Sequence, residues 1–408
     1  MPDRVIVIGG GVGGFSVVHE LRRGGFAGRL TIVDPGGTPY DRPPLSKEYL
    51  TGDGLPRPAF VDETWYRDHE VRLVGASATR IRPADRTVEL DGGPALRADS
   101  VVLSVGAAAR RLPVPGGDLP GLLHLRTLED ADRLRAELRP GRHLAVVGAG
   151  LIGAEVASAA RARGAEATLV DPVALPLAAA VGESMARRLR AMHTDHGVRV
   201  VTASVQRIRR TDGGWVLDTN SREGAVTVEA DAVLVAIGVR PRTGLAADAG
   251  LALDDGVVVG PDRRTSVPQI LAVGDLTRPR HPDGRLLRRP EHWQAAVDAG
   301  VAAAASLTGA GTSAAPGPQW FWSDRYGRHL EALGSMAAGR AVDRMVEGQV
   351  AMSFRLDDDN RLLGVATIDG GSAIRAARRL IERAIPVDPA ALADPGVELR
   401  RLARSSGR

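Results

Sequence analysis

Two stretches of this chain repeat one pattern, and that pattern leaves few folds open. Residues 5 to 34, VIVIGGGVGGFSVVHELRRGGFAGRLTIVD, read as strand, glycine turn, helix and second strand. Gly9, Gly11 and Gly14 form G-x-G-x-x-G directly after the apolar run, and Asp34 closes the next run about 20 residues later. Residues 143 to 171, HLAVVGAGLIGAEVASAARARGAEATLVD, supply Gly148, Gly150 and Gly153 and end at Asp171. The glycines let backbone approach a pyrophosphate at a helix N-terminus, and the acid can bind a ribose diol. Two such units predict two bound dinucleotides, and the ordinary reason to hold two is to pass a hydride between them. The bland alternative is a duplicated unit with one dead site. Asp171 would repel the 2'-phosphate of NADP and no arginine follows it closely, so NADH is expected rather than NADPH.

Composition narrows the chemistry. The 408 residues are 44% hydrophobic and 25% charged, enough for two or three packed domains and unlike a disordered or fibrous chain. Cysteine is absent, which removes disulfides, thiolate metal sites and every mechanism built on a redox-active thiol. The start, MPDR, runs straight into VIVIGGG with no signal-peptide pattern. The longest apolar stretch, LAVVGAGLIGAEVASAA, is glycine-broken, carries Glu155 and is too short to span a bilayer. A soluble, cytoplasmic protein that does not engage a membrane is expected. The net charge is +4, but aromatics are 3% and no basic tract is interleaved with them, so nucleic acid is not an expected partner and an acidic protein is.

Shorter signals follow the fingerprints. SVVLSVGAAARRLPVPG (100 to 116), DAVLVAIGVRPRTGL (231 to 245) and PQILAVGDLTRPRH (268 to 281) each hold an apolar strand that ends in glycine, and by pattern alone each is a buried parallel strand with its exit turn. Pro290 to Leu307 reads as a helix with Glu291, His292 and Trp293 at its start. VAMSFRLDDDNRLLGVATI reads as a hairpin whose DDDN turn is a solvated loop, since the glycine hinge of a metal loop is missing. No metal site is expected.

These motifs resemble the FAD-dependent ferredoxin reductases of bacterial cytochrome P450 and Rieske oxygenase systems, along essentially the whole chain. The carriers are YDRPPLSK (40 to 47), LRTLEDA (125 to 131), AVGD (272 to 275), EHWQAAVDAG (291 to 300), FWSDRYG (321 to 327) and the tail RRLIERAIPVDPAALADP. SVGAAAR departs from the usual A-T-G-A-x-P-R at Ser104, Val105 and Ala109 but keeps Gly106. The resemblance implies an α/β protein: two Rossmann-like dinucleotide-binding domains of the glutathione-reductase-like flavoprotein fold, plus a small α+β C-terminal domain. Residues 1–112 and 244–323 would bind FAD, 113–243 would bind NADH, and 324–408 would form the C-terminal domain.

It also implies roles. Gly9, Gly11, Gly13, Gly14 and Asp34 would hold the FAD adenosine and pyrophosphate, and Gly274 and Asp275 the ribityl chain. Arg42, Lys47, Arg126 and the backbone near Ala78 would complete the flavin pocket. Gly148, Gly150, Gly153, Asp171 and Gly238 would hold NADH, with Glu155 reaching towards the nicotinamide. Trp293 and Trp322 would lie near the ring system, although core packing explains at least two of Trp320, Phe321 and Trp322.

Lys47 has two readings. It is the single lysine among 53 basic side chains. Drift in an arginine-rich chain explains that, and so does a site that needs a compact ammonium where a planar guanidinium would obstruct. In the family the matching lysine pairs with the glutamate of the second fingerprint, here Glu155, beside the flavin's reactive edge. The partner implied is a [2Fe–2S] ferredoxin, usually acidic. Arg278, Arg280, Arg285, Arg288 and Arg289 would form either an electropositive rim for it or an ordinary soluble loop. The alternative function is an NADH-sensing flavoprotein like apoptosis-inducing factor, with slow electron delivery. Monomer and homodimer both stay open.

Overall fold

A computed structural model describes residues 1–311 and 317–404. They fall into two compact units: Met1–Pro43, Pro56–Ala108 and Val239–Pro316 make the first, and Pro44–Leu55, Ala109–Gly238 and Gly317–Arg408 the second.

The first unit is built on a five-stranded parallel sheet in the order Ile270–Ala272, Ser100–Leu103, Arg4–Ile8, Arg29–Val33, Val71–Val74. Its strands are nearly continuous apolar runs because both faces are covered. Along Arg4–Ile8, Val5 and Val7 join one core with the helices Val12–Arg23 and Trp293–Thr308, while Ile6 and Ile8 join the other. That second core is closed by the antiparallel strands Ala78–Arg82, Thr87–Leu90 and Gly93–Arg97. The alternation follows from a side-chain period of two along a strand.

Helices Val12–Arg23 and Trp293–Thr308 cross closely, and Gly300 permits it. A Cβ there would lie 2.6 Å from Ser16 Cβ and 2.8 Å from the Gly13 carbonyl oxygen. The helix expected from Pro290 begins at Trp293, with His292 as an extended N-cap residue that makes no side-chain cap bond.

The second unit carries the parallel sheet Arg199–Thr202, Glu166–Asp171, His143–Val147, Ala232–Val235 and a three-stranded antiparallel sheet, Ser204–Thr211, Gly214–Ser221 and Gly224–Ala230, whose Trp215 is fully buried. It also contains a five-stranded antiparallel sheet, in the order Trp320–Arg325, Arg328–Gly334, Leu362–Ile368, Gln349–Leu356, Arg340–Val346. Helix Ser372–Glu382 packs on one face of that sheet and helix Glu183–Asp195 on the other. The hairpin read from VAMSFRLDDDNRLLGVATI is present as Gln349–Leu356 paired with Leu362–Ile368. A second hairpin joins Trp320–Arg325 to Arg328–Gly334 through Tyr326 and Gly327, both left-handed at φ 53° and 68°. A two-residue turn with both central residues at positive φ matches the strand twist.

Gly300→Val should destabilise the protein by about 1–3 kcal/mol through overpacking at the helix crossing. Gly244→Val, where nothing lies within 4 Å of the added Cβ, should stay within about 0.5 kcal/mol. Urea unfolding followed by circular dichroism compares them.

Candidate functional site

In the first unit the glycine turn is held by contacts that exclude any side chain. Gly9 sits at φ 105°, and a Cβ there would be 2.3 Å from the Ser104 carbonyl oxygen; one on Gly14 would be 2.1 Å from the Gly9 oxygen. Ser104, one of the departures from the family pattern, meets the turn through its backbone and also through its Oγ, 3.1 Å from where a Gly14 Cβ would be. The Asp34 carboxylate accepts from the N–H of Gly10 at 2.6 Å and of Gly36 at 2.8 Å, which ties the acid to the turn. Arg42 lies over the same turn, its Nη1 2.8 Å from where a Gly11 Cβ would be. A bare glycine backbone at a helix N-terminus with a guanidinium above it fits a pyrophosphate.

Gly274 and Asp275 follow the strand Ile270–Ala272 after one residue, Val273. Trp293 donates from Nε1 to Asp41 at 2.9 Å, so the YDRPP segment and the start of helix Trp293–Thr308 are joined. His292 is held below the ordinary histidine range, first by burial and also by Arg288, against the pull of Asp275. Ala78 opens its strand at the edge of the second core of this unit. Of the five arginines read as a rim, Arg280, Arg285 and Arg288 are exposed. Arg289 is buried and paired with Asp255 at 3.1 Å and Glu291 at 2.7 Å, so it does not serve as a rim charge.

In the second unit the second fingerprint repeats the construction. Gly148 is at φ 102° with its missing Cβ 2.5 Å from the Ala236 oxygen, and Asp171 accepts from the N–H of Ala149 and of Val173, each at 2.8 Å. Nothing lies within 4 Å of a Cβ on Gly150, so this face of the turn is open. Gly238, at φ 95°, accepts from the Arg110 N–H. Arg126 precedes helix Leu128–Glu137, where its N–H and that of Thr127 both reach Asp130 at 3.1 Å in a capping box.

Helix Leu151–Ala162 is buried from Gly153 to Ala160, and in that apolar run it carries Glu155, 4% exposed. A buried carboxylate must be paired or hydrogen-bonded on every lone pair. Oε2 accepts from Lys47 Nζ at 2.8 Å and Ser46 Oγ at 2.5 Å; Oε1 accepts from Ser323 Oγ at 2.7 Å and the Asp324 N–H at 3.3 Å. One turn on, Ser158 Oγ accepts from the Tyr326 N–H at 2.7 Å. Trp320–Arg325 is an edge strand, so Glu155 and Ser158 satisfy N–H groups that no neighbouring strand can take.

Lys47 Nζ also stands 5.8 Å from the Trp322 ring centroid, and Trp322 stacks on Trp320 at 5.0 Å. Trp320 and Phe321 pack against cores, as the bland reading of the aromatic cluster had it. The sequence motifs contain Ser46, Ser323 and Arg325, yet sequence reading assigned them no role. The signal was Glu155 itself, a charge in an apolar helix that needed four donors.

A cavity of about 660 Å³ opens beside this pair, lined among others by Lys47, Glu155, Ser158, Arg161, His196 and Arg325. Among the described residues no group of three or more His, Asp or Glu could hold a metal ion, and no helix is long and apolar enough to cross a membrane.

Comparison with known proteins shows the family. Residues 3–300 match the family described as pyridine nucleotide-disulphide oxidoreductase, and residues 320–403 match the family described as reductase C-terminal. The chain is 38% identical to rhodocoxin reductase of Rhodococcus erythropolis, covering 97% of this chain and 93% of that protein. It is 35% identical to the ferredoxin–NAD(+) reductase component of the p-cumate 2,3-dioxygenase system of Pseudomonas putida, over 98% of each. The crystal structure of the covalent putidaredoxin reductase–putidaredoxin complex superposes with a TM-score of 0.89 at 30% identity, covering 99% of this chain and 98% of that one.

Two outcomes follow. Glu155→Leu strands the Lys47 ammonium and should cost about 3 kcal/mol, read as a lower urea midpoint. His193 is buried against Tyr326, with Nδ1 and the phenol oxygen 2.6 Å apart, and burial first, then Arg325, His196 and Arg190, hold it down at about 3. Below pH 6.5 the unfolded chain binds a proton there that the native chain refuses until about pH 3. Stability is therefore full above pH 6.5 and falls by up to about 1.4 kcal/mol per pH unit below it. His193→Gln should flatten that slope in urea titrations between pH 4 and 7.

Proposed function

We propose that this chain, which belongs to the pyridine nucleotide-disulphide oxidoreductase family, takes a hydride from NADH and passes electrons singly to a [2Fe–2S] ferredoxin that feeds an oxygenase. The observation that carries the reading is the Lys47–Glu155 pair at 2.8 Å, set on the second of two intact dinucleotide turns in a protein without cysteine. Without cysteine no disulfide relay can follow hydride transfer. The names of the relatives, ferredoxin–NAD(+) reductase among them, favour this over NADH sensing.

The glycine cradles suit both nucleotides. Gly9 to Gly14 with Arg42 and Asp34 would hold FAD, while Gly148 to Gly153 with Asp171 and Gly238 would hold NADH. Bound FAD supplies the chemistry that accepts two electrons together and releases them one at a time. The protein's part is orientation and charge. Lys47, bonded to Glu155 at 2.8 Å, would present an ammonium to the flavin, and Trp293, Trp322, Arg126, Asp275 and the backbone near Ala78 would be its other contacts. An ammonium there favours the anionic, electron-rich form of the flavin and leaves a face open, which a guanidinium would obstruct. Asp171, placed on the turn by Ala149, selects the ribose diol of NADH over the 2'-phosphate of NADPH. We assign FAD to residues 1–112 and 244–323, NADH to 113–243 and the remainder to the C-terminal domain.

The partner is taken to be acidic, which suits the exposed Arg280, Arg285 and Arg288. Stopped-flow mixing tests the whole reading. NADH should bleach the flavin band rapidly and an oxidised [2Fe–2S] ferredoxin should restore it, at a rate that falls as ionic strength rises. Lys47→Arg should slow flavin reduction by about tenfold or more while NADH still binds. Electrons that remain on the flavin with ferredoxin present would overturn the reading.

A further inference from the structure

The Lys47–Glu155 pair has a third member that the reductase reading does not use. Strand Trp320–Arg325 turns Ser323 and Arg325 to one side, at positions two apart, and both are buried, at 0% and 3% exposure. Arg325 Nη2 lies 2.9 Å from Ser323 Oγ, and Ser323 Oγ lies 2.7 Å from Glu155 Oε1. The direction of this chain is fixed by chemistry. A guanidinium only donates and a carboxylate only accepts, so the serine hydroxyl accepts from Arg325 and donates to Glu155.

Glu155 thus stands between two cations, Lys47 on Oε2 and, through Ser323, Arg325 on Oε1. Burial pushes the Arg325 guanidinium down and Glu155 draws it back; it starts so high that it stays charged. The other charged groups nearby have other partners or line the cavity. Asp324 is paired with His329 at 2.5 Å, His193 with the Tyr326 phenol, and Arg161 with the carbonyls of Ala165 and His196. Glu48, Arg161 and His196 border the cavity that reaches Lys47.

We propose that Arg325 is a positioning residue that acts through Ser323: it shares the Glu155 carboxylate with Lys47 and so keeps the Lys47 ammonium only partly neutralised. Resting on the reading that Lys47 faces the flavin, this makes Arg325 a setter of the flavin's reduction potential. A carboxylate spent wholly on Lys47 would cancel the charge that favours the reduced flavin, and Arg325 prevents that cancellation.

The single lysine makes the test direct, because lysine labelled with 15N at Nζ gives one side-chain resonance in the full-length, flavin-loaded protein. In Arg325→Met the Lys47–Glu155 bond should tighten. Exchange of the ammonium protons with water should slow about tenfold. The equilibrium between NADH and bound flavin should move about tenfold towards oxidised flavin. Arg325→Lys, which keeps the charge but adds a second lysine signal, is read by the flavin equilibrium, which should lie near the wild type.

Ser323→Ala cuts the relay and leaves the arginine in place, so it should shift both readouts in the direction of Arg325→Met; it decides the matter if Arg325→Met does not fold. Unchanged exchange and unchanged flavin equilibrium in a folded Arg325→Met or Ser323→Ala protein would overturn the proposal. Slowed exchange with an unmoved flavin equilibrium would overturn its role in setting the potential. A wild type that never reduces ferredoxin would instead count against the reductase reading, leaving the exchange result to stand for the shared carboxylate.

Discussion

One buried carboxylate organises much of the second unit. Glu155 sits in a helix whose neighbouring positions are glycine, alanine, valine and serine, and its charge is too costly to bury alone. Its four acceptor sites are met by groups from two distant parts of the chain, Ser46 and Lys47 on one side and the edge strand Trp320–Arg325 on the other. The short segment Pro44–Leu55 leaves the first unit and packs in the second, and the Glu155 bonds are the most buried of those that hold it. Tyr49 to Asp132, Arg135 to the Gly52 carbonyl, Arg163 to the Thr51 carbonyl and Arg163 to Asp53 add to the attachment.

The same carboxylate closes a sheet edge. An exposed edge strand offers its N–H groups to any passing chain, and here the donors of Asp324 and Tyr326 are taken by Glu155 and Ser158 from one helix face. Residues three apart on a helix share a face, which is why one helix can serve both donors. One carboxylate therefore both holds Lys47 and caps the sheet edge, so a substitution there would be felt at both.

The choice between cation types follows from the geometry each position requires. Position 47 is a flexible stem ending in a point charge that can bond a carboxylate and still stand near the Trp322 ring. Position 325 is fully enclosed, where a weakly hydrated, always-charged guanidinium costs less to bury than an ammonium. Lys47, the single lysine among the basic side chains, is the one that bonds the buried Glu155.

The sequence by itself determined the two dinucleotide turns, because glycine at fixed offsets after an apolar strand has few other uses, and the structure shows both with their acids bonded to the turns. It also determined the hairpin around DDDN, whose period-two pattern and polar turn are local. It marked Lys47 and Glu155 as partners, but only through resemblance to a family. It did not reveal Ser46, Ser323 and Arg325 as members of that cluster, nor that Arg289 is enclosed by Asp255 and Glu291 and so lost to any rim. Those were decided by tertiary structure, since a buried charge takes its partners from whatever the fold brings within bonding distance, which for Ser46, Lys47 and Ser323 around Glu155 means more than 100 residues away in sequence. Local pattern encodes turns and strands; the pairing of charges depends on desolvation, which exists only once the chain has packed.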